Sequence, residues 1–305
     1  MTVNVSISAV GLKKSYGPIN AVAGIDFEVR SGEVFSLLGP NGAGKTTTIE
    51  MLEGLRKPDA GSINVAGFDP WKDASRMRRK VGIIPQGFNF IPRITPGEAI
   101  SYFSTLFGVT DRSGELLELV NLKEMERTQF KDLSGGQKQK LGLCLAMVNN
   151  PDLLFLDEPT TGLDPQARRN MWDVIRKLKA EGKTILLTTH YLEEAEVLSD
   201  RVGIVDHGKM VACGTPDDII KQHGSGKILH VSGNETVARK VNGATGLHCT
   251  VDGKNIAVEI TSNSDVAQIL DIVRESGVEL RTLQLSEETL EEVFLKIVGR
   301  MEDIS

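Results

Sequence analysis

The segment GPNGAGKTT, residues 39–47, constrains the fold of this 305-residue chain more than any other feature. It follows the apolar stretch VFSLL and opens KTTTIEMLEGL, which predicts a buried strand, a glycine-rich loop and a helix. In such a loop, backbone N–H groups converge on one anion, and the amino end of the helix adds partial positive charge. A plain glycine-rich turn is the alternative, but the strand and helix on either side favour phosphate binding. The loop residues assigned to a nucleotide are Gly39, Pro40, Asn41, Gly42, Ala43, Gly44, Lys45, Thr46 and Thr47.

Two of these loop residues have distinct expected roles. Lys45 is positioned by the motif to reach the β and γ phosphates, and Thr46 to bind Mg²⁺. An acidic pair that could act with these two residues lies at the end of the stretch LLFLDE. The continuous apolar run of this stretch is typical of a strand buried on both faces of a parallel sheet. There Asp157 can hold Mg²⁺ through water, and Glu158 can orient or deprotonate an attacking water. Two solvated acids at a strand end are the alternative, which a phosphate loop in the same sheet disfavours.

The segment LSGGQ, residues 133–137, begins another predicted helix. Ser134 and Gln137 have the spacing of a capping box, which alone would explain a well-started helix. Capping gives no reason for Gly135 and Gly136, since glycine destabilises a helix by about 0.5 to 1 kcal/mol relative to alanine. Bare N–H groups presented to an anion would explain both glycines. Because one nucleotide already lies in its own loop, we expect this turn to face the nucleotide of a second copy in a twofold dimer.

Apolar periodicity predicts two domains. Short alternating strands fill residues 3–38, a helical segment covers about 93–150, and strands and helices then alternate up to a linker near residue 224. This order predicts an α/β domain over residues 1–224, with a parallel sheet, an antiparallel β subdomain and a helical subdomain. Residues 225–305 predict a small α+β domain of split βαβ order that ends in an acidic amphipathic helix.

Charge and hydropathy exclude several classes of protein. The net charge is −6, and residues 226–305 carry 8 basic against 13 acidic side chains, so no basic face for nucleic acid is expected. The longest run without Asp, Glu, Lys or Arg has 12 residues, whereas a membrane-spanning helix needs about 20 apolar ones. The amino-terminal sequence alternates like a strand and lacks the basic and apolar regions of a signal peptide. We therefore expect a cytoplasmic protein.

The order of the motifs resembles the ATP-binding subunit of ABC transporters. It runs GPNGAGKTT, Gln86, LSGGQ, LLFLDEP, GLDP and a histidine that closes a strand. The resemblance covers roughly residues 4–220 and rests mainly on LSGGQ followed closely by an apolar strand ending in Asp-Glu. It implies the P-loop NTPase fold of the ABC ATPase core, with ATP and Mg²⁺ as ligands. It also implies that Ser134, Gly135, Gly136 and Gln137 contact the nucleotide bound by the other copy.

The resemblance assigns roles to four further residues. Tyr16 would stack on adenine, and Gln86 would contact Mg²⁺ or water and report the nucleotide state to a membrane partner. Asp164 would cross the dimer interface, and His190 would approach the γ-phosphate and the attacking water. The alternatives are a half-buried tyrosine, a solvated loop glutamine, an N-cap aspartate and a structural histidine. The implied catalytic residues are Lys45, Glu158 and His190, and the implied metal-site residues are Thr46, Gln86 and Asp157.

The partner is expected to be a separate membrane protein, because the chain has one cassette and no predicted span. The LSGGQ region and the end TLEEVFLKIVGR resemble the subgroup that works with ABC-2 type permeases in drug, antibiotic, lipid or polysaccharide export. This resemblance implies a homodimer, or a dimer with a paralogue, on the inner face of the cell membrane. One alternative is a soluble ABC-type ATPase acting on ribosomes or DNA. Another is a nucleotide sensor with little turnover, whose tail binds a regulatory ligand.

Overall fold

The computed structural model describes residues 4–224, 226–260 and 262–302. The chain divides into two compact units, Met1–Pro216 and Asp217–Ser305. The sequence-based boundary at residue 224 lies after the helix Pro216–His223, whereas the division by contacts assigns most of that helix to the second unit. Within the described ranges, no helix is both long enough and apolar enough to cross a membrane.

The first unit contains nine strands and seven α-helices among its described residues, together with short 3-10 helices at Lys123–Met125 and Phe130–Asp132. In chain order the strands and α-helices are β1 (Val5–Tyr16), β2 (Ile19–Arg30), β3 (Val34–Leu38), α1 (Lys45–Leu52), β4 (Ala60–Val65), α2 (Ala74–Met77), β5 (Val81–Ile84), α3 (Pro96–Phe107), α4 (Ser113–Leu119), α5 (Gly135–Met147), β6 (Leu153–Asp157), α6 (Pro165–Ala180), β7 (Thr184–Thr188), α7 (Leu192–Leu198), β8 (Arg201–Asp206) and β9 (Lys209–Gly214).

A six-stranded sheet in the order β5-β6-β7-β3-β8-β9 forms the centre of this unit. Its pairs are parallel except for the antiparallel hairpin of β8 and β9. All residues of β3 and β7 are buried, which explains their continuous apolar character. Because parallel strands end at the same edge of a sheet, the residues after β3, β5, β6 and β7 share one edge. The predicted phosphate loop and the predicted Asp-Glu pair both lie at that edge.

A second sheet is antiparallel, in the order β2-β1-β4, and forms the predicted antiparallel β subdomain. Its long strands β1 and β2 alternate buried and exposed residues, so one face contributes to a core and the other is solvated. That core combines Ile7, Leu12, Ile25 and Val29 with residues of the central sheet such as Phe35. The phosphate-loop helix α1 packs against this same core through its buried residues Ile49, Met51 and Leu52.

The helical segment predicted for residues 93–150 consists of α3, α4 and α5. Both α3 and α5 begin with a capping box, at Thr95 with Glu98 and at Ser134 with Gln137. The buried sides of the three helices join the core on one face of the central sheet, with Ile100, Leu117 and Leu141 fully buried. The helical subdomain therefore packs on the sheet that carries the phosphate loop.

The second unit includes most of α8 (Pro216–His223), and the elements after α8 have the predicted order. These are β10 (Lys227–Ser232), α9 (Glu235–Thr245), β11 (Cys249–Asp252), β12 (Asn255–Ile260), α10 (Asn263–Glu275), β13 (Leu283–Glu287) and α11 (Leu290–Glu302). The sheet is antiparallel in the order β11-β12-β10-β13, as the split βαβ prediction requires. A separate core of buried residues, including Leu229, Val241 and Ile269, lies between this sheet and its helices. The fold class predicted from the sequence is confirmed for both units.

Candidate nucleotide-binding and hydrolysis site

The loop between β3 and α1 needs glycine at positions where another part of the backbone comes close. A Cβ atom on Gly39 would lie 2.2 Å from the carbonyl oxygen of Val205, and one on Gly44 would lie 2.2 Å from that of Ala21. Gly42 has φ of 81°, which side chains rarely adopt. The backbone can therefore curve tightly over the amino end of α1 only with this glycine pattern.

Lys45 points into the loop that precedes it. Its Nζ donates hydrogen bonds to the carbonyl oxygens of Gly39 at 2.6 Å and Pro40 at 3.0 Å. Burial lowers the pKa of Lys45, and the nearby carboxylates of Glu158 and Asp157 partly oppose that shift. Lys45 is thus a buried cation in a cluster with two acids, where its ammonium can neutralise phosphate charge.

Asp157 ends β6 beside the last residue of β7. The hydroxyl of Thr188 donates to the Asp157 carboxylate, and the hydroxyl oxygen of Thr188 accepts from the backbone N–H of Glu158 at 3.0 Å. Burial raises the pKa of Asp157, Glu158 raises it further, and Thr188, Gln86 and Lys45 lower it. A carboxylate in this position is stabilised by any additional cation. Oxygen donors on Thr46 and Asp157 are also the ligand type that Mg²⁺ prefers.

Three of the side chains around Glu158 converge on one oxygen atom, Oε2. Gln86 Nε2 donates to it at 3.0 Å, Thr161 Oγ1 donates at 2.9 Å, and His190 Nδ1 lies 3.3 Å away. Glu158 itself has φ of 49°, in the left-handed region that costs a β-substituted residue energy. The turn after β6 is therefore held in an unusual conformation that aims this carboxylate between Gln86 and His190.

The LSGGQ turn lies at the start of α5 and has the predicted capping box. Ser134 N donates to Gln137 Oε1 at 2.8 Å, and Gln137 N donates to Ser134 Oγ at 3.3 Å. A Cβ atom on Gly136 would lie 3.1 Å from Ala167 Cβ, whereas one on Gly135 would meet nothing within 4 Å. Gly136 therefore has a packing role inside the chain. Gly135 has no such role among the residues described.

Asp164 and Tyr16 lie at other places in the first unit. Asp164 is the N-cap of α6, and its Oδ1 accepts a hydrogen bond from Ala167 N at 2.9 Å. Tyr16 is 39% exposed, and the Arg56 guanidinium carbon lies 5.3 Å and Lys14 Nζ 5.9 Å from the centroid of its ring. The N-cap role is present, and the exposed ring can stack on a base. The interface and adenine roles stay predictions.

The structure thus brings together Lys45, Gln86, the adjacent pair Asp157 and Glu158, and His190, from four separate segments of the chain. Among the described contacts, none joins this cluster to Tyr16 or to the Ser134–Gln137 turn of the same chain.

Two site residues were missed by sequence reasoning. Thr161 and Thr188 bond the Glu158 and Asp157 carboxylates, yet each belongs to a Thr-Thr pair with no motif of its own. Only the position of each pair, at the end of an assigned strand or two residues after the acid pair, could have indicated them.

An apolar cleft of about 520 Å³ lies beside Gln86. Its lining includes Ile83 and Pro85 before the glutamine, Phe88 after it, and Phe103, Leu106 and Phe107 of α3. Leu106 is 66% exposed, although it is fully apolar. Phe88 also packs on α5, since a Cβ atom on Gly142 would lie 3.1 Å from its ring. The segment after Gln86 therefore connects the hydrolysis site with an exposed apolar surface of the helical subdomain.

Comparisons with known proteins give the same picture. A family model described as "ABC transporter" matches residues 22–161, and one described as "ATP-binding protein DrrA1-3-like, C-terminal domain" matches residues 214–298. The chain is 36% identical over 306 residues to the linearmycin resistance ATP-binding protein LnrL of Bacillus subtilis (strain 168), which covers 96% of this chain and 98% of the relative. It is 40% identical over 295 residues to the Nod factor export ATP-binding protein I of Burkholderia orbicola (strain AU 1054), covering 95% of both chains.

Solved structures are similar over the first unit. An ATP-binding subunit of an ABC transporter superposes with a TM-score of 0.66 and 32% identity, covering 72% of this chain and 93% of that one. A dimeric ATP-binding cassette, MJ0796, in a post-hydrolysis state bound to ADP and Pi, superposes with a TM-score of 0.62 and 25% identity. That match covers 68% of this chain and 98% of the other.

Proposed function

Because this chain belongs to the ABC transporter family of ATP-hydrolysing subunits, we propose that it drives export through a separate, ABC-2 type membrane permease. Two features support the export direction. The relatives include proteins named for linearmycin resistance and Nod factor export, and they match this chain over nearly its whole length. The second unit also matches the DrrA-like C-terminal model. In this proposal the chain lies on the inner face of the cell membrane, held there by the permease.

The observation that carries the proposal is the convergence of Gln86, Thr161 and His190 on Glu158, next to the phosphate loop. Lys45 and the loop N–H groups bind the β and γ phosphates of ATP. Thr46 and Asp157 would hold Mg²⁺, whose positive charge would offset the negative charge of the phosphate oxygens. Glu158 orients a water and accepts its proton as the water oxygen bonds to the γ phosphorus. The bond to the β-phosphate oxygen then breaks, and ADP and phosphate are released.

A second copy completes each site in this proposal. The Ser134–Gly136 turn presents N–H groups at the amino end of the 13-residue helix α5, and Gly135 has open space around it. A side chain at residue 135 would occupy the space that an approaching phosphate needs. A twofold dimer of identical chains then forms two equivalent sites, each with the phosphate loop of one copy and the turn of the other. ATP joins the copies, and its hydrolysis releases them.

The permease binds, in this proposal, at the apolar cleft beside Gln86. The cleft is large enough for several apolar side chains, and an apolar surface of the permease would cover Leu106 and Phe103. Gln86 bonds Glu158, and Phe88, two residues later, lines the cleft. A change at the hydrolysis site can therefore alter the shape of the surface that the permease contacts.

The Glu158→Gln variant tests the shared sites. We expect it to bind ATP and lose at least about 100-fold of the hydrolysis rate, because an amide cannot accept the water proton. ATP should then hold the variant as a dimer, measured by analytical ultracentrifugation with and without Mg-ATP. The parent protein, which hydrolyses its ATP, should dimerise only transiently. A Glu158→Gln protein that is monomeric in saturating ATP would contradict the composite sites.

Co-purification of tagged protein from detergent-solubilised membranes tests the partner. We expect a membrane protein with several spans to accompany the parent chain, and Leu106→Glu to lose it while keeping ATP hydrolysis in solution. Val109→Glu, at another exposed apolar position after α3, is the matched control. Recovery of ribosomes or DNA in place of a membrane protein would overturn the transport proposal.

A further inference from the structure

The imidazole of His190 is held between the catalytic carboxylate and a neighbouring aromatic ring. Its Nδ1 lies 3.3 Å from Glu158 Oε2, and its ring centroid lies 4.1 Å from that of Tyr191, with 40° between the planes. The His190 side chain is 44% exposed, and Tyr191 is the aromatic ring that packs against it. The orientation of this ring therefore depends on where Tyr191 lies.

Tyr191 is itself fixed by a cation. The Arg168 guanidinium carbon lies 4.8 Å from the centroid of the Tyr191 ring, within the range of a cation–π interaction. The same guanidinium lies 5.7 Å from the ring of Trp172, one turn later on α6. Its Nη2 is 3.8 Å from Glu193 Oε2. Arg168 is thus placed between two aromatic rings, with a carboxylate beside it.

A buried hydrogen bond links α6, which carries Arg168, to α7, which follows Tyr191. Glu194 on α7 is fully buried and accepts a hydrogen bond from Trp172 Nε1 at 2.7 Å. The backbone N–H of Tyr191 donates to Thr189 Oγ1 at 3.0 Å, which fixes the turn between β7 and α7. Since α6 carries Arg168 and this turn carries Tyr191, the Trp172–Glu194 bond sets the distance between guanidinium and ring.

The start of α6 also touches the LSGGQ turn. Ala167, which precedes Arg168, is the residue that a Cβ atom on Gly136 would approach to 3.1 Å. A displacement of this turn would therefore press on the same helix end that holds the stack. In a dimer, the Gly136 turn of one site and the His190 of the other site belong to the same chain.

We propose that Tyr191 is a positioning residue for His190, held by Arg168, and that this stack couples the LSGGQ turn of a chain to that chain's own hydrolysis site. The inference rests on the proposed function, in which His190 acts at the γ-phosphate. Removal of the Tyr191 ring leaves the imidazole free to rotate away from Glu158. Misplacement of a catalytic group by about 1 Å can cost about 100-fold in rate, so a smaller loss is expected for a positioning residue.

Steady-state ATP hydrolysis by the full-length protein tests this inference. We expect Tyr191→Ala to lower kcat about tenfold with little change in KM for ATP, since the phosphate loop is untouched. Tyr191→Phe, which keeps the ring, should retain the parental kcat, and Arg168→Leu should fall between the two. The decisive readout is the double variant: His190→Ala with Tyr191→Ala should be no slower than His190→Ala alone.

The outcomes separate this inference from the proposed function. If His190→Ala hydrolyses ATP at the parental rate, the assigned role of His190 fails. If His190→Ala is inactive while Tyr191→Ala and Arg168→Leu keep the parental kcat, only the positioning role fails. If Tyr191→Ala lowers kcat by the same factor in the parent protein and in the His190→Ala variant, Tyr191 acts through general stability. The thermal unfolding midpoint of each variant measures that stability independently.

Discussion

At the scale of single residues, the site depends on charges that the fold removes from water. Burial lowers the pKa of Lys45 and raises that of Asp157, and the two groups partly offset each other. Glu53, at the carboxyl end of α1, belongs to none of the motifs, yet the charge of Asp157 acts on it as well. Burial, Asp157 and Glu50 together raise the pKa of Glu53 to about 8. The sequence does not indicate this shift, because the distance between the Glu53 and Asp157 side chains is set by the fold.

The raised pKa of Glu53 predicts a pH-dependent stability. Below pH 4.5, the ordinary pKa of this group, the carboxyl is protonated in folded and unfolded chains alike, so it does not lower the free energy of unfolding. Between 4.5 and about 8 the unfolded chain releases this proton while the folded chain keeps it, so stability falls as pH rises. Glu53→Gln removes this loss, and we expect it to raise the free energy of unfolding by roughly 3 kcal/mol at pH 7.

Urea unfolding of nucleotide-free protein at several pH values measures the effect. The gain from Glu53→Gln should grow from pH 5 to pH 8 and vanish below pH 4.5. Glu124→Gln, at an exposed position of the first unit, is the control and should bring no such gain. A gain that does not depend on pH would exclude a buried, protonated Glu53.

At the scale of elements, the last helix of the second unit is tied to its sheet by one lysine. Lys296 Nζ on α11 lies 2.6 Å from Glu259 Oε1 on β12 and also pairs with Glu288, whose side chain is fully buried. Leu290, Val293 and Ile297 of α11 are buried as the amphipathic spacing predicts. The apolar stripe could be read from the sequence, but the two carboxylates that Lys296 meets could not.

Lys296→Met should destabilise the second unit. The change removes the Lys296 ammonium from the buried carboxylate of Glu288, and removal of one partner of a buried ion pair typically costs about 3–5 kcal/mol, so about that loss is expected near pH 7. Differential scanning calorimetry should show a lower midpoint for the variant than for the parent protein. Lys254→Met, at an exposed position of the same unit, is the control. An equal midpoint for both variants would contradict a structural role for this ion pair.

At the scale of the whole molecule, the composite sites predict complementation between inactive chains. Ser134→Arg disrupts the turn but keeps the phosphate loop, whereas Glu158→Gln disrupts hydrolysis but keeps the turn. Each variant alone should be inactive. A mixed dimer has one site with the intact loop of the first chain and the intact turn of the second, so an equal mixture should recover about a quarter of the parental rate.

The two variants should be mixed before ATP is added, because ATP would otherwise trap Glu158→Gln chains as dimers of that variant alone. Phosphate release per chain measures the recovery, and equilibrium binding should show that Ser134→Arg still binds ATP. Mixing Ser134→Arg with a chain carrying both substitutions is the control and should recover nothing. Activity that stays at zero in the first mixture would indicate that the two halves of a site come from one chain.

Local sequence determined the elements of this protein and the chemistry of its loops. Glycine spacing in GPNGAGKTT fixes a curved loop, the Ser134 and Gln137 spacing fixes a helix start, and apolar runs fix the buried strands, because each depends on residues close in the chain. The family and both fold classes followed from these motifs. The roles of the individual site residues stay predictions.

Tertiary structure alone decided which side chains meet. The strand order β6-β7-β3 places the ends of LLFLDE, KTILLTTH and VFSLL next to one another, and so brings Glu158, His190 and Lys45 to one edge. No local pattern contains the order of strands in a sheet, which depends on how crossovers pack across the whole core. For the same reason Thr188 and Glu53 gained their contacts with Asp157 only when distant segments were folded together.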